Sequence, residues 1–261
     1  MNNKDLELVV ILLVKKKRNK YEVFTSIDES GLLFTEEELV VNRIIKGASF
    51  TKEAWNKIKD THEQSLIYEK VLKYLTFKPR TIKETINYLK ENNTDEEITK
   101  NLIDKLIKLD FLNDERYASN YVDSSIRMGK GPVLISHELH QKGINDELIK
   151  KSLLSYTEEL QIDTAYQLSV KHLKLISKHP KRKQKELLSQ KLIRSGFNYS
   201  IINKIIPLLE FNDDNLEQLR KDYEKILKKT TDKNKIIQHL LQKGYEYSQI
   251  KEIMNIHIYE E

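Results

Sequence analysis

The residues best suited to chemistry in this chain are basic. Lys178-His179-Pro180-Lys181-Arg182-Lys183-Gln184-Lys185 places five permanent cations within eight positions. Lys171, Lys174, Lys191 and Arg194 flank that tract. Residues 158–211 hold ten Lys and Arg against five Asp and Glu, and this +5 equals the net charge of all 261 residues. Everywhere else the two signs nearly cancel. Clustered ammonium and guanidinium groups suit a polyanion, either nucleic acid or an acidic protein groove. Pro180 breaks a helix, so the tract is expected to be a loop. Like charges brought together repel over a screening distance of ~8 Å, which an anionic partner relieves. Arg127, Lys130 and Lys142 form a second, sparser set of contact candidates, with Lys130 expected at an exposed tip between helices.

Other combinations lead nowhere. Gly129-Lys130-Gly131-Pro132 lacks the G-x-x-x-x-G-K-[ST] spacing of a phosphate loop, and no βαβ pattern surrounds it. Pro132 at a first helical turn and Gly129 after a preceding helix are ordinary punctuation. His137 and His140 are three apart, but a metal needs a third and usually a fourth ligand. His172, His179 and His239 lie in other segments. The absence of Cys excludes thiol catalysis, disulfides and Cys-ligated zinc. No Ser/His/Asp order or nucleotide fingerprint stands out, so no catalytic residue, metal or cofactor is expected. Leu8–Val14, the longest apolar run, is too short to cross a bilayer, and Asp5 and Glu7 ahead of it are the wrong flank for a signal peptide. A cytoplasmic monomer is expected.

Seven Gly, four Pro and 33% charged residues point to long amphipathic helices. The first sixty residues differ. Leu6, Leu8, Val10, Leu12 and Val14 alternate, as do Tyr21, Val23, Thr25 and Ile27. This predicts a hairpin through a charged turn, Lys15–Lys20. Asp28-Glu29-Ser30-Gly31 predicts a second turn. Thr35 with Glu38 is a capping box for a short helix through Ile45, ended by Gly47. Thr51 is placed to cap a helix from Lys52.

The remainder repeats. Leu139-His140-Gln141-Lys142-Gly143, Leu192-Ile193-Arg194-Ser195-Gly196 and Leu240-Leu241-Gln242-Lys243-Gly244 are each followed, six residues past the Gly, by Ile149, Ile202 or Ile250. A fainter copy runs Tyr88 to Asn92, with Ile98 beyond. The successive intervals are 51, 53 and 48 residues. Gly ends a helix in the left-handed conformation and Asn is the next best. Thr94, Asn145, Asn198 and Glu246 would then start the next helix. Amphipathic stretches at Leu66–Leu75, Tyr117–Met128, Ala165–Ile176 and Leu216–Leu227 precede the pairs. The chain thus reads as a β-containing module over 1–60 and three-helix repeats over 61–112, 113–157, 158–211 and 212–261. The expected fold is mostly α, an elongated curved array of tandem units. Such triplets also describe a helix-turn-helix. Two of the last helices begin acidic, at Asp95-Glu96-Glu97 and Asp146-Glu147, which repels phosphate, so most turns are architectural.

Leu109-Asp110-Phe111-Leu112-Asn113-Asp114-Glu115-Arg116-Tyr117-Ala118, then Tyr121-Val122, Arg127, Gly129-Lys130-Gly131-Pro132 and His137-Glu138-Leu139-His140-Gln141-Lys142-Gly143-Ile144, resembles the RecX family. The likeness is specific through residues 109–154, and the repeat extends it over 61–261. The N-terminal module resembles an extension of Gram-positive members. The resemblance implies a non-enzymatic, all-α repeat body that binds the groove of the RecA–DNA filament and inhibits ATP hydrolysis and strand exchange. It also implies direct binding to single- or double-stranded DNA in some members. The rival readings are a stand-alone DNA-binding repeat protein and a structural adaptor.

Overall fold

The structure is a computed structural model describing residues 8–28, 30–212 and 215–260, with side chains described to Asn255. It falls into two compact units, one ending at Leu112 and one beginning at Asn113. Leu6 and Glu29, assigned above to a strand and a turn, lie outside the described residues.

The first unit opens on β1 (Leu8–Lys17) and β2 (Lys20–Thr25), followed by β3 (Leu32–Phe34), α1 (Glu36–Val41) and β4 (Ser49–Thr51), in an antiparallel sheet ordered β3-β2-β1-β4. The hairpin forms, with two differences from expectation. Its turn is only Arg18-Asn19, with Arg18 at φ 51°, because both lysine-rich arms remain paired as far as Lys17↔Lys20. The buried face also begins on the residues between the alternating set. Val9 and Ile11 are buried while Leu8 and Leu12 are about half exposed. An irregularity between Ile11 and Leu13 inserts an extra residue and returns Val14 to the inner side, facing Val23. Val9, Ile11, Val23, Phe34, Ile44 and Trp55 close the first core.

Thr35 and Glu38 form the expected capping box, but α1 stops at Val41. Arg43, at φ 53°, is its left-handed end, and Ile44 folds back as the Ile44 N–H donates to Leu39 O. Gly47 instead donates to Ile11 O, joining β1. The Thr51 hydroxyl caps α2 (Lys52–Phe77), which runs unbroken through residue 60. Then α3 (Ile82–Glu91) and α4 (Glu96–Lys108) pack with α2 around Val71, Leu89, Leu106 and Leu112.

The second unit contains α5 (Asp114–Arg127), α6 (Pro132–Gln141), α7 (Asp146–Leu153), α8 (Glu158–Ile176), α9 (Lys181–Arg194), α10 (Tyr199–Ile205), α11 (Leu216–Leu227), α12 (Lys233–Lys243) and α13 (Tyr247–Glu260). A short 3-10 turn, Ile206–Leu208, follows α10. The helices from α5 to α10 share one core, including Val122, Ile135, Leu139, Leu188 and Ile202. The last three have their own, around Leu219, Leu240 and Ile250.

All four middle helices end alike. The N–H groups of Ile144, Phe197 and Tyr245 reach back to Leu139, Leu192 and Leu240 O, and those of Gly143, Gly196 and Gly244 to His140, Ile193 and Leu241 O. These pairs of bonds define a Schellman end. The first copy has it too, with Thr94 N–H to Leu89 O and Asn93 N–H to Lys90 O. Its left-handed residue is therefore Asn93, at φ 54°, rather than Asn92. One residue of shift moves everything after it. Asp95 rather than Thr94 caps α4, and Thr99 rather than Ile98 is the buried residue six positions on.

Candidate functional site

Only the start of the basic tract is a link: Lys178-His179-Pro180 connect α8 to α9, and Lys181–Lys185, expected in a loop, are helix. Pro180 is the N-cap of α9, at φ −55°, and Lys181 begins the helix at once. The ring fixes a φ suited to helix entry, so the same residue that ends α8 starts α9. The link is held by Gln184, buried, whose side-chain amide donates to His179 O at 2.6 Å and Asn212 O at 2.7 Å. Lys181, Arg182, Lys183 and Lys185 are therefore fixed on the first turns. Cations there oppose the helix dipole, so their placement is not explained by helix stability.

The cations divide by partner. Lys171 and Lys174 are exposed, three apart on α8, and Lys178 is exposed just after its end. Lys191 and Arg194 lie close enough to His172 of α8 to act on it: burial first, then these two charges, lower the His172 pKa below its ordinary value. Lys185 sits over the Phe211 ring at 5.4 Å. Lys183 pairs with Glu186 at 2.9 Å, and the Arg182 guanidinium donates to Leu241 O near the end of α12. Lys181 is half-buried. These residues thus combine outward charge with contacts between repeats.

The second set is more structural. Lys130 is half-buried rather than at an exposed tip, because Glu138 on α6 draws it inward. Its ammonium lies 2.7 Å from the Glu138 carboxylate and 5.6 Å from the centre of the Tyr121 ring. Burial lowers its pKa, but the hydrogen bond and charge of Glu138 and Tyr121 outweigh this, leaving it above the usual lysine value. Tyr121 O–H donates to the same carboxylate at 2.8 Å, and Tyr156 O–H donates to Lys130 O. Lys142 lies 5.7 Å from the centre of Tyr117, which stacks on Tyr121. Arg127 is exposed in the last turn of α5. His137 bonds to Gln141 and His140 to Asp146.

Sequence reasoning missed the contacts between repeats. Gly131 N–H donates to Ser195 O at 2.6 Å, and Val133 N–H to Gly196 O at 3.1 Å. The carbonyls ending α9 therefore cap the start of α6, which has no side-chain cap of its own. The only sequence signal was a glycine at each of two helix ends.

Family models match three stretches: the first three-helix domain of RecX at residues 68–106, the second at 113–153 and the third at 212–254. The regulatory protein RecX of Streptococcus agalactiae (serotype V strain) is 32% identical over 254 residues, covering 92% of this chain and 96% of its own. That of Lactobacillus johnsonii is 27% identical over 262 residues, covering 96% of each. A crystal structure of regulatory protein RecX aligns with TM-score 0.61 at 28% identity, over 76% of this chain and 99% of that one. RecX from Lactobacillus salivarius aligns with TM-score 0.53 at 34% identity, over 57% of this chain and 97% of that one. Among the described residues no helix is long and apolar enough to cross a membrane. With its tandem three-helix domains and full-length likeness to these regulators, the chain belongs to the RecX family of regulatory proteins.

Proposed function

We propose that this protein binds the RecA–DNA filament along its groove and restrains ATP hydrolysis and strand exchange without chemistry of its own. The observation that carries the reading is the charge of residues 158–211, set on the ordered helices α8 and α9. Lys171, Lys174, Lys178, Lys185, Lys191 and Arg194 form the main contact surface. Arg127, Lys130, Lys142, Lys181, Arg182 and Lys183 contribute charge while most also support the fold. Many individually weak ionic contacts add when they engage one extended polymer together. Membership of a family of regulators supports the regulatory half of this reading.

The test is titration into RecA assembled on single-stranded DNA, following ATP hydrolysis and co-sedimentation. Hydrolysis falls as the protein joins the filament. Unchanged hydrolysis with no association overturns the proposal. Tight binding to naked DNA with no preference for the filament favours the stand-alone DNA-binding reading instead.

A further inference from the structure

The middle helices of the last three repeats meet end to end at two junctions that correspond position by position. At the first, the end of α9 meets the start of α6. At the second, the end of α12 meets the start of α9. Gly131 and Pro180 are the matching N-caps, Leu134 and Lys183 lie three residues on, and Gly196 and Gly244 end the incoming helices.

The two junctions close differently. A Cβ built on Gly196 would stand 2.4 Å from Leu134 N, whereas one on Gly244 would stand 3.3 Å from Lys183 N. The second junction is wider by about an ångström, an ordinary size difference for packed elements. Pro180 also has no N–H to offer the incoming carbonyls, and the Arg182 side chain spans to Leu241 O instead. The helices joined at the first junction share one core, while the last repeat keeps its own.

The wider junction leaves a cleft of about 530 Å³. Lysines line it from three elements: Lys178 from the α8–α9 link, where His179 also lines it, Lys183 from α9 and Lys243 from α12. Asp222 is the acid among its lining residues. Its carboxylate already accepts from Tyr245 O–H at 3.0 Å and pairs with Lys243 at 3.0 Å, which fixes Lys243 at the cleft. The Lys183–Glu186 pair is solvent-exposed and readily exchanged for a stronger anion. Three lysines line one concave site, Lys183 in an exposed pair with Glu186 and Lys243 paired with Asp222, and this excess of cations favours a doubly charged oxyanion.

We infer that the cleft between the third and fourth repeats is a binding site for a phosphate group. The group is either a phosphodiester of a nucleic-acid strand or a small phosphate. The inference does not require a recombinase, so it stands or falls apart from the filament reading.

The test uses the full chain labelled with ¹⁵N, titrated separately with inorganic phosphate and with a thymidine oligonucleotide, against chloride at equal ionic strength. Amides of Lys178, His179, residues 181–184 and those around Lys243 are expected to shift. If the oligonucleotide moves them, a strand is the source; if only inorganic phosphate does, a small phosphate is. Lys178→Gln with Lys183→Gln is expected to weaken binding about ten-fold, with circular dichroism reporting the fold. The inference is overturned if neither probe moves those amides, or if the folded double variant binds both probes like the parent. Should the variant not fold, the shifts in the parent chain decide alone.

Discussion

Gly131 lies at φ −84°, a conformation open to any residue, so an alanine there would cost only what closeness imposes. Its Cβ would stand 2.3 Å from Gly196 C and O. Backbone cannot turn aside as a flexible side chain does, so α6 and α9 would have to separate, opening the shared core. Gly131→Ala is expected to destabilise the second unit by about 3 kcal/mol, the upper range for overpacking. Gly47 is the control. It has φ +86° and nothing within 4 Å of a Cβ. Gly47→Ala carries only the left-handed penalty, about 1 kcal/mol. Urea unfolding of each variant measures both. A smaller loss at Gly131 than at Gly47 would mean that the junction between α6 and α9 is not rigid.

Elements are joined by polar residues as well as by packing. Glu38 accepts the Thr35 N–H at 2.7 Å while its other oxygen meets His62 Nδ1 at 2.9 Å, tying α1 to α2. His62 in turn packs on Phe34 of β3, ring centres 4.2 Å apart. Burial works against the Glu38 charge, but the Thr35 backbone N–H and then His62 outweigh it, and its pKa is lowered from 4.5. A carboxylate with a depressed folded pKa stabilises the fold above its unfolded value and loses that stability as pH falls through the folded one. Wild type should therefore exceed Glu38→Gln in unfolding midpoint at neutral pH. The gap should close as pH falls below 4.5 and through the lowered folded pKa. A gap constant with pH would assign the difference to shape rather than charge.

Elements were also where the amino-acid order was most and least legible. Three of four middle-helix ends were readable because Gly143, Gly196 and Gly244 each meet a local backbone demand at a fixed distance from a buried Leu and Ile. The first copy slipped by one because Asn92 and Asn93 both tolerate that conformation, and only packing of Leu89 and Thr99 selects between them. The inner face of β1 is not legible because its run is apolar on both sides, so alternation carries no sign, and the irregularity after Ile11 then switches faces. The start of α9 was hidden for a tertiary reason. Gln184 secures the link with carbonyls as distant as Asn212. For the same reason the cation cluster was legible as a composition, while the division between outward charge and repeat-to-repeat contacts was not.

On the scale of the molecule, stability and binding make different demands on the same cations. Arg182 and Lys130 serve the fold through Leu241 O and Glu138, so their removal would confuse a loss of binding with a loss of structure. Lys171, Lys174, Lys185 and Arg194 are exposed. Changing all four to Gln removes four of the five net positive charges. Each exposed change should alter stability by no more than about 0.5 kcal/mol, so melting should stay nearly unmoved. Every cation–phosphate pairing so removed should reduce the slope of log affinity against log salt by about one. Filament affinity measured by anisotropy across a salt series should therefore fall most at low salt, with the slope flattened by up to about four. Parallel lines for wild type and variant would mean that these side chains touch no phosphate. Equal affinity throughout would remove them from the interface and leave its specificity to contacts between protein surfaces.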